Sequence, residues 1–120
     1  FYGKTTVDFN RPEALLCLTS VLMNYLFQLR WTLPVNHLCP RVPSRINYLI
    51  WVEQIYRRVF NSGVEHQVVD IGTGAGLIYP LIGNRRFGWK FLATEIDQTS
   101  VYHSKMLLSL NSPTPIAPDQ

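Results

Sequence analysis

At 120 residues the chain has room for one compact domain with a modest core. A hydrophobic share of 47% against 16% charged excludes a disordered segment, so most of the chain must pack against something. A net charge of +3 and an isoelectric point near 9.1 are compatible with a polyanionic partner without identifying one.

In chain order, Asn10-Arg11-Pro12-Glu13 carries a helix start. Asn10 is the expected N-cap, Pro12 lacks an N–H that a first turn does not need, and Glu13 closes a capping box. The helix should run to about Arg30, with Leu15, Leu18, Leu22, Tyr25, Leu26 and Leu29 as its buried stripe at three- and four-residue steps. Thr19, Ser20 and Asn24 interrupt its apolar run, which falls short of the roughly 20 residues a membrane span needs, so no membrane partner is expected. Pro34, Pro40 and Pro43 impose an extended connector over 32–43. A second helix is predicted over 44–60, with Tyr48, Val52, Ile55 and Val59 on its inward face, Arg57 and Arg58 at its negative dipole end, and Asn61-Ser62-Gly63 as its stop.

The period then changes. Val68-Val69-Asp70-Ile71 is a short β-branched run ending in glycines, 77–83 a short helix, and 89–96 a second strand candidate. Asp97 caps a further helix over 99–110, and the tail at 113–118 is too proline-rich to extend it. Strand, helix, strand, helix implies a parallel α/β sheet. The organisation expected is a helical segment over 1–62, a βαβα unit over 63–112 and a proline-rich tail over 113–120.

Cys17 and Cys39 lack CxxC spacing and read as two buried thiols in a reducing compartment. His37, His66 and His103 are scattered without a ligand-spaced neighbour, so no metal is expected. The start Phe1-Tyr2-Gly3-Lys4 has no charged leader followed by an apolar run, which leaves nucleus and cytoplasm open.

The chemistry-bearing signal is the turn Asp70-Ile71-Gly72-Thr73-Gly74-Ala75-Gly76. Glycines at Gly72, Gly74 and Gly76 let the backbone turn sharply from strand to helix and let a ligand approach the main chain. Glu95 lies about twenty residues on, at the end of the neighbouring strand, where a carboxylate accepts hydrogen bonds from the ribose hydroxyls of an adenosine cofactor. The dinucleotide pattern G-x-G-x-x-G/A would need a small residue where Leu77 stands. NAD is therefore the alternative, and S-adenosyl-L-methionine, with Asp70 near its methionine amino group, the first expectation.

Leu38-Cys39-Pro40-Arg41-Val42-Pro43-Ser44-Arg45-Ile46-Asn47-Tyr48, Trp51-Val52-Glu53, the glycine turn, Ile78-Tyr79-Pro80-Leu81 and Ala93-Thr94-Glu95 occur densely and in order. In these elements the chain resembles the methyltransferase-like protein 16 family, from about Val7 to about Asn111. The resemblance implies the N-terminal portion of a class I S-adenosylmethionine-dependent methyltransferase, a Rossmann-like α/β fold with a helical lead-in and an incomplete sheet. It implies transfer of a methyl group to the exocyclic N6 of adenosine in a structured RNA. By resemblance Arg45 reaches the cofactor's methionine carboxylate, a guanidinium meeting a carboxylate. Gly72 and Gly74 line the cofactor and Glu95 holds its ribose.

Two departures stand out. Gly76 and Leu77 replace a serine and a cysteine common in the family, which removes a hydroxyl contact while keeping the backbone N–H. The family's Asn-Pro-Pro-Phe, whose asparagine and a proline carbonyl accept hydrogen bonds from the target amino group, appears nowhere in the chain. No catalytic residue is therefore assigned, and the chain reads as an incomplete enzyme. The alternatives are a non-catalytic RNA- or cofactor-binding module and an NAD-dependent oxidoreductase. Lys4, Arg11, Arg41, Arg57, Arg58, Arg85, Arg86 and Lys90 are the basic residues available to an RNA groove. Two strands without neighbours leave an open edge and an uncovered apolar face, predicting poor solubility or partial folding of the isolated chain.

Overall fold

The computed structural model describes residues 3, 5–60 and 65–112. The elements are α1 (Pro12–Phe27), α2 (Val42–Val59), β1 (Gln67–Ile71), α3 (Ile78–Phe87), β2 (Lys90–Thr94) and α4 (Gln98–Asn111). β1 and β2 pair in parallel, Val68 beside Phe91 and Val69 beside Leu92, with α3 as the crossover. The expected order is present. The Asn61-Ser62-Gly63 stop and the proline-rich tail lie outside the described residues.

The start of α1 differs from the expected capping box. Arg11 is the N-cap and makes no side-chain cap bond, while Asn10 gives its own N–H to Asp8 Oδ1 at 3.0 Å. Pro12 then opens the helix, where its missing N–H leaves no donor unpaired. The helix also ends early. Gln28 turns into the left-handed region, its N–H bonding to Asn24 C=O at 2.8 Å as in the αL helix end, and the N–H of Leu29 reaches Met23 C=O at 3.2 Å. This turn swings Leu29 and Trp31 into the core. Of the expected stripe Leu29 is buried and Leu22 packs against the core, but the fully buried positions within α1 are Thr19, Met23 and Phe27 at four-residue steps, and Tyr25 is 81% exposed.

α2 begins two residues before the predicted helix, because Pro43 falls in the first turn, where the helix tolerates it. Its inward face is Val42, Leu49 and Glu53; Tyr48, Ile55 and Val59, expected inside, are exposed. α3 runs on through Gly83, where a side chain would collide with the Phe91 ring. It stops at the left-handed Gly88, whose N–H bonds to Asn84 C=O.

One core joins the helices to a single face of the sheet: Met23, Phe27, Trp31, Leu49, Ile82 and Leu107 are buried together, with Val68 and Phe91 packed against them. Trp89, just before β2, is stacked between Phe87 and His66, with ring centres 4.9 and 5.6 Å away. Among the described residues nothing covers the opposite sheet face, with Val69 60% and Ile71 84% exposed. The thiols correct another expectation: Cys17 is exposed, and Cys39 is half-buried with its sulfur 3.2 Å from Thr19 Oγ1. Among the described residues no helix is long and apolar enough to cross a membrane.

Candidate functional site

The chain leaves β1 through backbone that most residues avoid: Gly72 and Gly74 have φ of 72° and 69°, and Leu77 reaches 45° as the N-cap of α3. A β-carbon at Gly72 or Gly74 would meet no atom within 4 Å, so these two glycines are required by conformation. Gly76 is different: a β-carbon there would stand 3.0 Å from the Trp31 ring, which would have to give by a few tenths of an ångström. Leu77 holds its unusual conformation because its side chain is only 2% exposed, anchored in the core.

Thr94 C=O accepts the N–H groups of both Gly72 and Thr73 at 2.9 Å, tying the turn to the end of β2. One residue on, Glu95 accepts three backbone N–H groups: Gly74 at 2.8 Å, Ile96 at 2.7 Å and Asp97 at 3.0 Å. Those bonds, led by Asp97 and Ile96, hold its carboxyl below the ordinary glutamate range. A carboxylate has about four acceptor positions, so Glu95 keeps one open. Asp97 caps α4 as expected, accepting the Ser100 N–H at 2.8 Å, and its bonding to Ser100 lowers its own pKa.

Beside the turn lies a cleft of about 410 Å³, within the range of small-ligand sites. Arg45, Asp70, Gly72, Gly74 and Gly76 all line it, and Glu95 joins its edge through the Gly74 N–H. Five of the six residues singled out in the sequence thus line one cleft, and the sixth, Glu95, is bonded to one of them. Arg45 Nη1 donates to the Tyr79 hydroxyl at 2.9 Å, with the guanidinium carbon 5.5 Å from the tyrosine ring centre, so this arginine is placed rather than free in solvent. Asp70 Oδ2 and Thr73 Oγ1 are buried without a hydrogen-bond partner. An unpaired buried carboxylate oxygen is costly, and Asp70 lies on the cleft. A larger hollow of about 720 Å³ lies under the connector, lined largely by apolar residues, and brings no such opposed charges together.

Tyr79, Thr73, His37 and Ser100 also line the cleft and were not singled out as site residues. Thr73 and Tyr79 stood inside quoted motifs, which was the available signal. His37 had none, because only the fold brings its Nε2 within 3.3 Å of Ser100 Oγ. Of the basic residues, Arg57 is engaged by Glu53 at 2.6 Å and Lys90 by Glu65 at 2.8 Å.

The RNA methyltransferase family profile matches residues 1–115. The chain is 46% identical over 100 residues to the U6 small nuclear RNA (adenine-(43)-N(6))-methyltransferase of Caenorhabditis briggsae, covering 82% of this chain and 20% of that protein. It is 39% identical over 113 residues to ribosomal RNA large subunit methyltransferase F of Psychrobacter sp. (strain PRwf-1), covering 91% and 34% respectively. The crystal structure of the N-terminal domain of human METTL16 in complex with SAH superposes with a TM-score of 0.85 at 39% identity, covering 91% of this chain and 42% of that one. The chain thus spans about a third or less of the length of these two curated relatives. Its helical lead-in and short parallel sheet are part of the class I methyltransferase α/β fold. The chain belongs to the RNA methyltransferase family that includes methyltransferase-like protein 16.

Proposed function

We propose that the cleft binds S-adenosyl-L-methionine and that the chain supplies the cofactor-holding part of an RNA adenine-N6 methyltransferase. The observation that carries this reading is the pairing of opposite charges on one cleft: the Arg45 guanidinium, and Asp70 with a buried oxygen that lacks a partner. A zwitterionic amino-acid group needs one cation and one anion within its own span. Glu95, at the end of the neighbouring strand, suits the ribose of the same ligand.

The residues present fit that cofactor. Arg45 meets the carboxylate with a planar fork, held in place by Tyr79. Asp70 accepts from the ammonium, and Gly72 and Gly74 keep side chains out of the ligand's path. Glu95 offers its remaining acceptor position to a ribose hydroxyl, and a two-pronged grip requires it to release one of its loop bonds. When bound, S-adenosylmethionine supplies a methyl group on an electrophilic sulfonium. The chain's own part is to fix that group's position and to keep the two ends of the ligand apart. The Caenorhabditis briggsae relative is named for action on an RNA adenine, and exposed Arg41, Arg58, Arg85 and Arg86 are among the cations available for phosphate contact. With no Asn-Pro-Pro-Phe in the chain, the alternative for the chain alone is binding without turnover. Its RNA would be met in the nucleus or the cytoplasm.

Calorimetric titration tests it: S-adenosylmethionine and S-adenosylhomocysteine bind and NAD does not. Tighter binding of NAD would overturn it.

A further inference from the structure

We propose that Trp31, His103 and Ser104 are positioning residues that hold the cofactor turn from behind, each through one backbone carbonyl. Ser104 Oγ donates to Gly74 C=O at 2.9 Å, His103 Nδ1 meets Ala75 C=O at 2.9 Å, and Trp31 Nε1 donates to Gly76 C=O at 2.7 Å. Three consecutive carbonyls are thus taken by three side chains from two separate parts of the chain, α4 and the connector after α1. Because a carbonyl only accepts, the His103 proton sits on Nδ1. Trp31 and Ser104 are 6% and 7% exposed, so the clamp works largely out of water.

Its consequence follows from the peptide plane. In a trans peptide the C=O of one residue and the N–H of the next point in opposite directions. Pinning the carbonyls of Gly74, Ala75 and Gly76 therefore turns the N–H groups of Ala75, Gly76 and Leu77 to the other side. Those N–H groups precede the first turn of α3, where donors and the helix dipole favour the electron-rich atoms of a ligand. Preorganising them removes an ordering cost from binding. Gly76 belongs to the device as well, since its missing β-carbon is what lets the Trp31 ring approach. A side chain at position 76 requires the Trp31 ring to give way.

The inference rests on the cofactor reading, and two measurements keep the failures apart. The first is amide hydrogen exchange at residues 75–77 in the unliganded chain, and the second is affinity for S-adenosylhomocysteine. Trp31→Phe keeps a ring and loses the N–H; Ser104→Ala loses the hydroxyl. Each is expected to speed exchange at the three amides and to weaken binding about tenfold, the effect of leaving one buried carbonyl unpaired. Ser104→Thr, which keeps the hydroxyl, recovers both. Val52→Ala, in α2 and away from the turn, lowers the melting temperature and changes neither. Faster exchange in the two variants without any cofactor binding by the unsubstituted chain leaves the clamp standing and sinks the cofactor. Unchanged exchange at residues 75–77 in the variants, or an equal change in Val52→Ala, overturns the clamp.

Discussion

The Glu95 carboxylate accepts the Gly74 N–H at 2.8 Å, so the end of β2 grips the turn that leaves β1. The two glycine-rich and acidic halves of the site are thereby one unit before any ligand arrives.

That unit is sensitive to acid in a defined direction. Backbone N–H groups of Asp97, Ile96 and Gly74, in that order, hold Glu95 below its ordinary value of 4.5, and Ser100 does the same for Asp97. A carboxylate depressed on folding contributes stability that is complete above its unfolded pKa and is lost as pH falls through its folded pKa. The Gly74 amide resonance should hold steady from neutral pH down to about 5 and move only below the ordinary glutamate value, and Glu95→Gln should abolish the Glu95 part of that transition. Movement of the resonance between pH 6 and 8, centred on about the histidine range, would contradict it.

Arg45 tests the cation side of the cleft. Arg45→Lys keeps the charge and loses the planar fork, so affinity for S-adenosylmethionine should drop about tenfold, in line with the loss of one charge-assisted bond. Tyr79→Phe removes only the hydroxyl that holds Arg45 and should cost less, about threefold, by loosening the guanidinium. Titration calorimetry reads both, and equal affinities across the series would remove Arg45 from the site.

The glycines of the turn separate by cause. Gly72→Ala forces a β-carbon into a left-handed residue with open space around it, and should cost about 1–2 kcal/mol in urea unfolding without moving a neighbour. Gly76→Ala meets the Trp31 ring at 3.0 Å and should shift tryptophan emission as the ring moves. An unshifted spectrum for Gly76→Ala would mean that the ring has room to spare.

Local rules made much of this legible. Asp97 stands three residues before Ser100, and its cap formed as its residue type demands. The strands and the turn announced themselves through β-branched residues followed by glycines. The helix faces did not, because the leucines of α1 satisfy a helical period in more than one direction. The direction chosen depends on Gln28, whose left-handed turn sends Leu29 and Trp31 inward. Pro43 was read as a barrier and is a first-turn residue, a distinction that depends on where Val42 packs, 1% exposed, rather than on the proline. At the site, Asp70, the three glycines and Glu95 were visible by spacing, and Arg45 by family resemblance. Trp31 and His103 were not, since their partners are backbone carbonyls 45 and 28 residues away and no side-chain pattern records a carbonyl.

The bare face of the sheet leads to the last prediction. Val69 and Leu92 are paired neighbours across the ladder, 60% and 64% exposed, and Ile71 extends the same surface. Side chains alternate along a strand, so these residues point away from Val68 and Phe91, which pack against the core. Replacing them removes little buried area and should leave stability nearly unchanged, whereas Met23→Ala, at a position with no exposure, should cost about 2–5 kcal/mol. An exposed apolar face beside an unpaired edge is a template for association. Val69→Thr with Leu92→Thr keeps β-branched or compact strand formers while making the face polar. The double variant should stay monomeric at concentrations where the unsubstituted chain scatters light, with its melting temperature within a few degrees of the unsubstituted value. If the substitutions lower the melting temperature as far as Met23→Ala does, this face is already covered in solution, and the unsubstituted chain folds as an assembly rather than as a single open sheet.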